Sequence, residues 1–363
     1  MLTPDEHGIS RREALRRLGA GAAGLTAARV LGDLGPLAGP ADAGYPGGGK
    51  VILGAHAAPW RSDLNFASNR GKDWSTMRDA LMTLEQRSGR RLGMHRIYYQ
   101  WRHAWPTPLD YWSASPTLDG RRGRKLFISW KPMDVRDGRR RYISWDSIGR
   151  GAHDDVIRHR ARAVKAFYRT MANRGSHATK KIYLCFNHEC EGQDSTQNNG
   201  NAEAFKRAWW RIRRIFREEG AADKVYWSWT VTAWGLENGH ATKFWPGKDH
   251  VNRVAVTAYN WDKCESGRKY RWLGETIRPS YEWARSKGKK LIVAEWGTTE
   301  SVQGRPSKAA WITDARRTFK SDRWRNLEAL LYFNSDSRCN WWVYSSGAAQ
   351  EAWRNMALDP YYR

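Results

Sequence analysis

The stretch Lys181-Ile-Tyr-Leu-Cys-Phe-Asn-His-Glu189 decides how the rest of the chain is interpreted. It is a short apolar run, rich in β-branched and aromatic residues, that ends abruptly in polar side chains. A run of this length is typical of a fully buried parallel strand. A carboxylate at the point where such a strand leaves the core is costly unless it has a task. The stretch therefore predicts a buried strand that delivers Glu189 to one end of a sheet.

A second stretch has the same form. Lys290-Leu-Ile-Val-Ala-Glu295-Trp-Gly is again a buried-strand pattern that ends in a glutamate. Two buried strands that each carry a carboxylate at the carboxyl end indicate an active site built from two acidic groups.

Apolar runs alternate with helical patterns along the whole region 44–363, which we expect to be a single domain. Repeated strand–helix units imply a parallel sheet, and eight of them can close into a barrel. The competing fold, an open doubly wound sheet, usually has a glycine-rich phosphate loop after its first strand. Here that turn is Gly54-Ala-His-Ala-Ala-Pro-Trp60, so we predict an α/β fold of the (β/α)₈ TIM-barrel type. The predicted strands are 51–56, 94–100, 126–131, 181–189, 225–231, 254–259, 290–297 and 327–334, and the predicted helices are 74–86, 154–173, 202–219, 272–286, 308–320 and 347–356.

Glu189 lies at the end of the fourth predicted strand and Glu295 at the end of the seventh. Because parallel strands all end at one face of a barrel, we expect both carboxylates at the same mouth. Glycosidic bond cleavage needs one protonated and one ionised carboxyl group on opposite sides of the bond. We expect His188, with Asn187, to hold the hydrogen bonds of the acid and tune its protonation. Tyr259, at the tip of the sixth strand, is expected to orient the nucleophile.

Sugar-binding residues are expected among the aromatic side chains that follow strand ends. The chain has 22 tryptophans, more than a core is expected to bury completely. Indole faces stack on pyranose rings, although any one of these tryptophans could equally be a core residue. The candidates for substrate contact are Trp101, Trp261, Trp296, Trp341, Trp342 and His56.

Several segments, in order along the chain, resemble glycoside hydrolase family 26, whose founding activity is endo-β-1,4-mannanase. The segments that carry the resemblance are Phe186-Asn-His-Glu189, Ala208-Trp-Trp-Arg-Ile, Phe216-Arg, Gly220-Ala, Val225-Tyr-Trp-Ser-Trp229, Tyr259-Asn-Trp261, Ile292-Val-Ala-Glu295-Trp-Gly297 and Leu331-Tyr-Phe-Asn334 before Trp341.

The resemblance implies a retaining hydrolase with Glu189 as acid/base, Glu295 as nucleophile, His188 as modulator of the acid and Tyr259 as the residue that positions the nucleophile. The family usually continues after its His-Glu with Met-Asn-Gly and an aromatic residue. This chain continues with Cys-Glu-Gly-Gln-Asp-Ser. The resemblance makes mannan the favoured substrate. Because this segment departs from the family's pattern, β-1,3-xylan and mixed-linkage β-glucan, which the family also cleaves, remain alternatives.

Residues 1–43 have the three parts of a twin-arginine export signal. Ser10-Arg11-Arg12-Glu13-Ala14-Leu15-Arg16 is followed by a weakly apolar stretch over 18–31 and by Ala41-Asp42-Ala43 as a cleavage site. The alternative is a disordered basic tail. The apolar stretch is too short and too charged for a membrane anchor. We therefore expect a secreted protein without a membrane anchor, and a monomer.

The net charge of +25 permits three interpretations: nucleic-acid binding, attraction to acidic polymers, or a solvated basic surface. The competing function is a non-catalytic basic barrel that binds an acidic wall polymer or nucleic acid. Such binding would weaken steeply with salt.

The four cysteines contain no CxxC pair, which argues against a zinc ribbon or a redox motif. Cys185 lies within a predicted buried strand and is expected to be a core thiol. One disulfide among Cys190, Cys264 and Cys339 fits an exported protein, with its pairing left open. No metal-ligand cluster is evident, and the predicted mechanism needs no cofactor.

Overall fold

A computed structural model of the chain describes residues 51–58, 74–102, 125–173, 181–265, 267–300 and 304–363. The predicted signal peptide and its cleavage site lie outside these residues. All eight predicted barrel strands are present and close into one parallel barrel, so the predicted (β/α)₈ fold is confirmed. The helices that the structure describes include none with the length and hydropathy of a membrane span.

The boundaries of the elements agree closely with the sequence pattern. The strands are β1 (Ile52–Ala57), β2 (Met94–Tyr99), β3 (Lys125–Trp130), β4 (Met133–Arg136), β5 (Arg139–Tyr142), β6 (Ile182–Phe186), β7 (Val225–Thr232), β8 (Arg253–Asn260), β9 (Lys290–Thr298) and β10 (Leu327–Asn334). The helices are α1 (Trp74–Ser88), α2 (Trp145–Arg150), α3 (Asp154–Asn173), α4 (Gln193–Asn198), α5 (Ala202–Glu218), α6 (Ala233–Glu237), α7 (Leu273–Ser286), α8 (Lys308–Thr318) and α9 (Gly347–Leu358).

The barrel strands follow the order β1-β10-β9-β8-β7-β6-β3-β2 around the cylinder. Consecutive strands are therefore neighbours, as right-handed crossovers require. Their carboxyl ends all meet at one face, which carries the ends of β6 and β9.

Two layers of apolar side chains hold the barrel together. Side chains that point into the cylinder, among them Met94, Phe127 and Cys185, form the inner layer. The larger outer layer lies between strands and helices and takes up most of the buried tryptophans. Helix α5 illustrates how a helix contributes to this outer layer. Apolar side chains recur along it at helical spacing and are all buried: Phe205, Trp209, Ile212 and Phe216.

Five short elements were not predicted from the sequence: β4, β5, α2, α4 and α6. The arginine-rich segment 136–141 lies in the hairpin β4–β5. Asp137 and Gly138 supply the left-handed turn residues that such a hairpin needs. Within the polar segment 191–201, residues Gln193–Asn198 form α4. The hairpin β4–β5 follows β3, and α4 follows β6. Their charged or amide-rich sequences lack the apolar periodicity from which the other elements were predicted.

The one disulfide among the described residues joins Cys264, after β8, to Cys339, after β10. Its Cα–Cα distance is 5.9 Å. Cys185 is a buried free thiol in the inner layer, as expected. Cys190 is also buried and free, so it takes no part in the disulfide. The bond therefore ties together two loops on the face where the strands end.

Candidate active site

Glu189 reaches the mouth through an unusual backbone turn directly after β6. Asn187 and Glu189 both have left-handed φ angles, 48° and 54°. Non-glycine residues adopt this conformation at a cost of about 1–3 kcal/mol, typically where a functional site requires it. The N–H of Glu189 donates to the carbonyl of Thr230 on β7 at 2.9 Å. The amide of Asn187 donates to Ser195 Oγ at 2.9 Å, which fixes the start of the turn.

The carboxyl group of Glu189 has an environment that favours its protonated form. Burial raises its pKa, and the nearby charge of Glu295 raises it further, to about 7. The hydroxyl of Thr257 on β8 donates to Glu189 Oε1 at 2.6 Å and opposes this rise. A carboxyl group that keeps its proton near neutral pH is suited to act as a general acid.

A β-bulge in β9 turns Glu295 into the mouth. Val256 pairs with Val293, but the next residue of β8, Thr257, pairs with Glu295 and skips Ala294. Such a bulge changes which face of the strand the following side chains occupy. Ala294 belongs to the inner layer and Trp296 to the outer one. Without the bulge, alternation along β9 would place Trp296 inside and Glu295 outside.

Three donors surround the carboxylate of Glu295. Tyr98 Oη donates to Oε1 at 2.7 Å, and Tyr259 Oη donates to Oε2 at 2.6 Å. Arg96 Nη2 lies 2.7 Å from Oε1, and the same nitrogen donates to Ser129 Oγ. The ion pair and both hydrogen bonds match a negatively charged carboxylate held in one orientation.

Arg96 and Tyr98 were not identified from the sequence. Both lie on β2, in phase with the inward-pointing Met94, and Arg96 is completely buried. Burial alone would lower the pKa of Arg96, but Tyr98 and Glu295 raise it above its usual value. The feature of the sequence that could have identified them is Arg96 itself. A guanidinium at an inward position of a barrel strand needs a buried anion as its partner.

The two histidines lie beside Tyr98, and among the described hydrogen bonds neither ring bonds to the carboxyl group of Glu189. The ring of His188 meets Tyr98 edge to face at 5.4 Å, and His56 does so at 4.9 Å. Burial and the charge of Arg96 lower the pKa of both imidazoles, that of His56 to about 4. The expectation that His188 and Asn187 hydrogen-bond the acid is therefore wrong: among the described contacts, Thr257 has that role.

A cleft of about 480 Å³ leads outward from Glu189 between the loops that follow β7 and β8. Thr257 lines it, together with two of the residues predicted from the sequence, Tyr259 and Trp261. Trp234 also lines it and was missed, although it follows the end of β7. Its side chain is 57% exposed, with one face stacked on His240 at 5.0 Å.

The other four candidate tryptophans have no exposed indole face. Trp101 stacks on Trp130 at 4.2 Å in the outer core, and Trp296 packs there as a result of the bulge. Trp341 and Trp342 are 1% and 2% exposed. A sugar ring cannot stack on a buried indole, so the assignment of these four to substrate contact is corrected. Trp341 instead supports Tyr259, at 4.8 Å between ring centroids.

Glu191, a second carboxylate close to Glu189 in sequence, has a structural role. It accepts hydrogen bonds from the N–H and the hydroxyl of Thr232, at 2.6 and 2.8 Å. These bonds attach the loop after β6 to the end of β7.

The described residues contain no group of three or more His, Cys, Asp or Glu side chains arranged to hold a metal ion. The arrangement thus presents one carboxyl group that favours its proton and one carboxylate paired with a cation. Together they can deliver a proton and a nucleophile within one mouth.

Solved structures with a similar fold include several mannanases. The catalytic domain of a GH26 endo-β-1,4-mannanase from Bacillus sp. JAMB-750 aligns with a TM-score of 0.62 and 14% identity, over 86% of this chain and 87% of that one. A GH26 β-mannanase from Bacteroides ovatus aligns with a TM-score of 0.54 and 13% identity, over 86% and 90%. The mannanase man26 of Bacillus subtilis aligns at 0.52 and 13%, over 89% and 88%.

No protein-family model matches the chain. No curated protein sequence matches it either. The likeness to the solved structures therefore shows the fold that this chain shares with them, a single (β/α)₈ barrel.

Proposed function

We propose that the chain is a retaining endo-β-glycosidase that hydrolyses a β-glycan, with mannan as the favoured substrate. Glu189 acts as the acid/base and Glu295 as the nucleophile. The observation that carries this proposal is the contrast between the two carboxyl groups. Burial and a neighbouring anion favour the proton on Glu189, whereas Arg96, Tyr98 and Tyr259 surround Glu295 with donors.

The reaction has two steps. In the first, an oxygen of Glu295 attacks the anomeric carbon, the bond to the leaving sugar breaks, and Glu189 gives its proton to the departing oxygen. In the second, water attacks the glycosyl-enzyme and gives a proton to Glu189, and Glu295 leaves as a carboxylate. General acid–base catalysis of this kind contributes about 10²–10⁴-fold to the rate.

The cleft next to Glu189 supports a role for Trp234 and Trp261 as sugar-stacking residues. A general acid lies beside the oxygen of the leaving group, so the space beyond it receives the leaving part of the glycan. Two partly exposed indoles in that space are suited to pyranose rings. We also propose that His56 and His188 contact substrate only as neutral rings that shape the wall near Tyr98.

The substrate itself rests on the resemblance to glycoside hydrolase family 26 and on the folds of the mannanases described above. β-1,3-Xylan and mixed-linkage β-glucan remain the alternatives within the same mechanism. The test is a reducing-sugar screen of the purified protein against mannan, β-1,3-xylan and mixed-linkage β-glucan, followed by NMR of the first anomer released. We expect mannan to be cleaved, with retained β configuration.

The matched variants are Glu295→Gln and Glu282→Gln. The first removes the nucleophile and is expected to abolish hydrolysis without loss of the thermal unfolding transition. The second makes the same charge change on the exposed outer face of α7 and serves as the control. Hydrolysis that persists in Glu295→Gln, or a product with inverted configuration, would contradict the assignment of Glu295 as the nucleophile of a retaining enzyme.

Export by the twin-arginine route is part of the proposal and rests on residues 1–43 of the sequence. Replacing Arg11 and Arg12 by lysine should retain the protein inside the producing cells. Unchanged amounts of protein in the medium would contradict this route.

A further inference from the structure

A row of cations lies at the face of the barrel opposite the catalytic mouth. Five neighbouring strands, β3, β6, β7, β8 and β9, each begin at or directly after a lysine or arginine. Because the strands are parallel, their amino ends all meet at this face. We call these residues the basic rim; they are Lys125, Lys181, Lys224, Arg253, Lys289 and Lys290.

Few of the carboxylates that the structure describes neutralise the basic rim. Lys224 pairs with Asp223 at 2.8 Å, and Arg253 pairs with Glu328. Within the part of the chain that the structure describes, Lys181, Lys289 and Lys290 form no ion pair. Lys181, Lys289 and Lys290 therefore leave about three positive charges along the rim.

Further cations crowd the rim at β8 and β9. Burial lowers the pKa of Lys289, and the charges of Lys248, Arg253 and Arg213 lower it further, whereas the charge of Asp249 raises it. Like charges held this close repel one another, and a bound anion would relieve that repulsion.

The geometry points to a partner that is linear and carries repeated charges. Adjacent strands lie about 5 Å apart, so the five strands spread the rim cations over roughly 20 Å. A single small anion would engage one or two of them, whereas a flexible polyanion can follow the whole row.

The side chains favour phosphate groups without bases. Five of the six rim cations are lysines, compact point charges that bind phosphate from many directions. Single-stranded nucleic acids bind best where aromatic rings are free to stack on bases. The ring of Tyr226 at this rim is instead covered by Arg253 at 4.3 Å and Lys181 at 5.1 Å.

We propose that the basic rim binds a linear phosphate polymer that lacks bases, and so tethers the protein while leaving the opposite mouth open. This surface is independent of the proposed hydrolysis. The proposal assigns part of the +25 net charge to the amino-end face of the barrel, with phosphate groups as its partner.

The test is binding of labelled inorganic polyphosphate to the full chain, followed by fluorescence anisotropy at several salt concentrations. With these three charges engaged, the logarithm of the affinity should fall with the logarithm of salt at a slope of about −2. The triple variant Lys181→Gln, Lys289→Gln, Lys290→Gln lacks all three charges, so we expect its affinity to change little with salt. Its affinity at low salt should be at least tenfold weaker.

The control is the triple variant Lys243→Gln, Lys263→Gln, Arg278→Gln, which changes net charge equally at exposed positions away from the strand starts. It should bind like the unchanged protein, and thermal unfolding checks the fold of both variants. As a measurement on the unchanged protein, polyphosphate should protect Lys289 and Lys290 from acetylation. Equal weakening by both variants, no protection, or tighter binding of single-stranded DNA or polygalacturonate would each overturn the proposal.

Discussion

The hydrogen bond from Thr257 to Glu189 makes a prediction about the pH dependence of hydrolysis. Burial and Glu295 raise the pKa of Glu189 to about 7, and the Thr257 bond opposes that rise because it favours the ionised form. The acid must be protonated to release the leaving sugar. Activity should therefore be present below pH 7 and fall as the pH rises through about 7.

Thr257→Val removes the hydroxyl and keeps the shape of the side chain. A hydrogen bond to a charged group is worth about 1.5–3 kcal/mol, and about 1.4 kcal/mol corresponds to one pH unit. We therefore expect the alkaline limb of the profile to move upward by about 1–2 pH units. The ionised form of Glu189 loses a stabilising contact, so the proton is held more tightly.

The assay is kcat/KM against pH on the neutral soluble glycan that the substrate screen identifies, because kcat/KM reports ionisations of the free enzyme. Thr257→Ser retains a hydroxyl and should restore the original profile. If the limb in Thr257→Val stays in place or moves to lower pH, Glu189 is not the acid or Thr257 does not control its proton.

Two further predictions concern stability. Replacing both Cys264 and Cys339 by alanine opens a link across a sequence separation of 75 residues, which the chain-entropy model values at about 4.5 kcal/mol. Calorimetry should show Tm lower by roughly 5–10 °C, and an unchanged Tm would contradict this. Arg96→Met leaves the buried carboxylate of Glu295 without its cation and should cost about 3–5 kcal/mol in urea unfolding. Arg96→Lys should lose less, and a Met variant as stable as the unchanged protein would refute the pairing.

The positions of the two carboxylates were predictable because they depend on local pattern and on a general rule of topology. Buried-strand runs mark the strands, and parallel strands linked by right-handed crossovers bring every carboxyl end to one face. Glu189 and Glu295 therefore lie at the same face of the barrel, although the direction of each side chain depends on details of packing. The boundaries of the longer helices were equally accessible, since apolar spacing marks the buried face of such a helix, as in α5.

The orientation of individual side chains was decided only by the tertiary structure. One extra residue in β9 sends Glu295 inward and Trp296 outward, and no pattern within that strand reveals the bulge. The buried pairing of Arg96 with Glu295 and the choice of Cys339 as the partner of Cys264 join residues far apart in sequence. The sequence by itself determined which strands carry the acids, because hydrophobic periodicity is local. Only the closed barrel decided what surrounds them, because those contacts are made between strands.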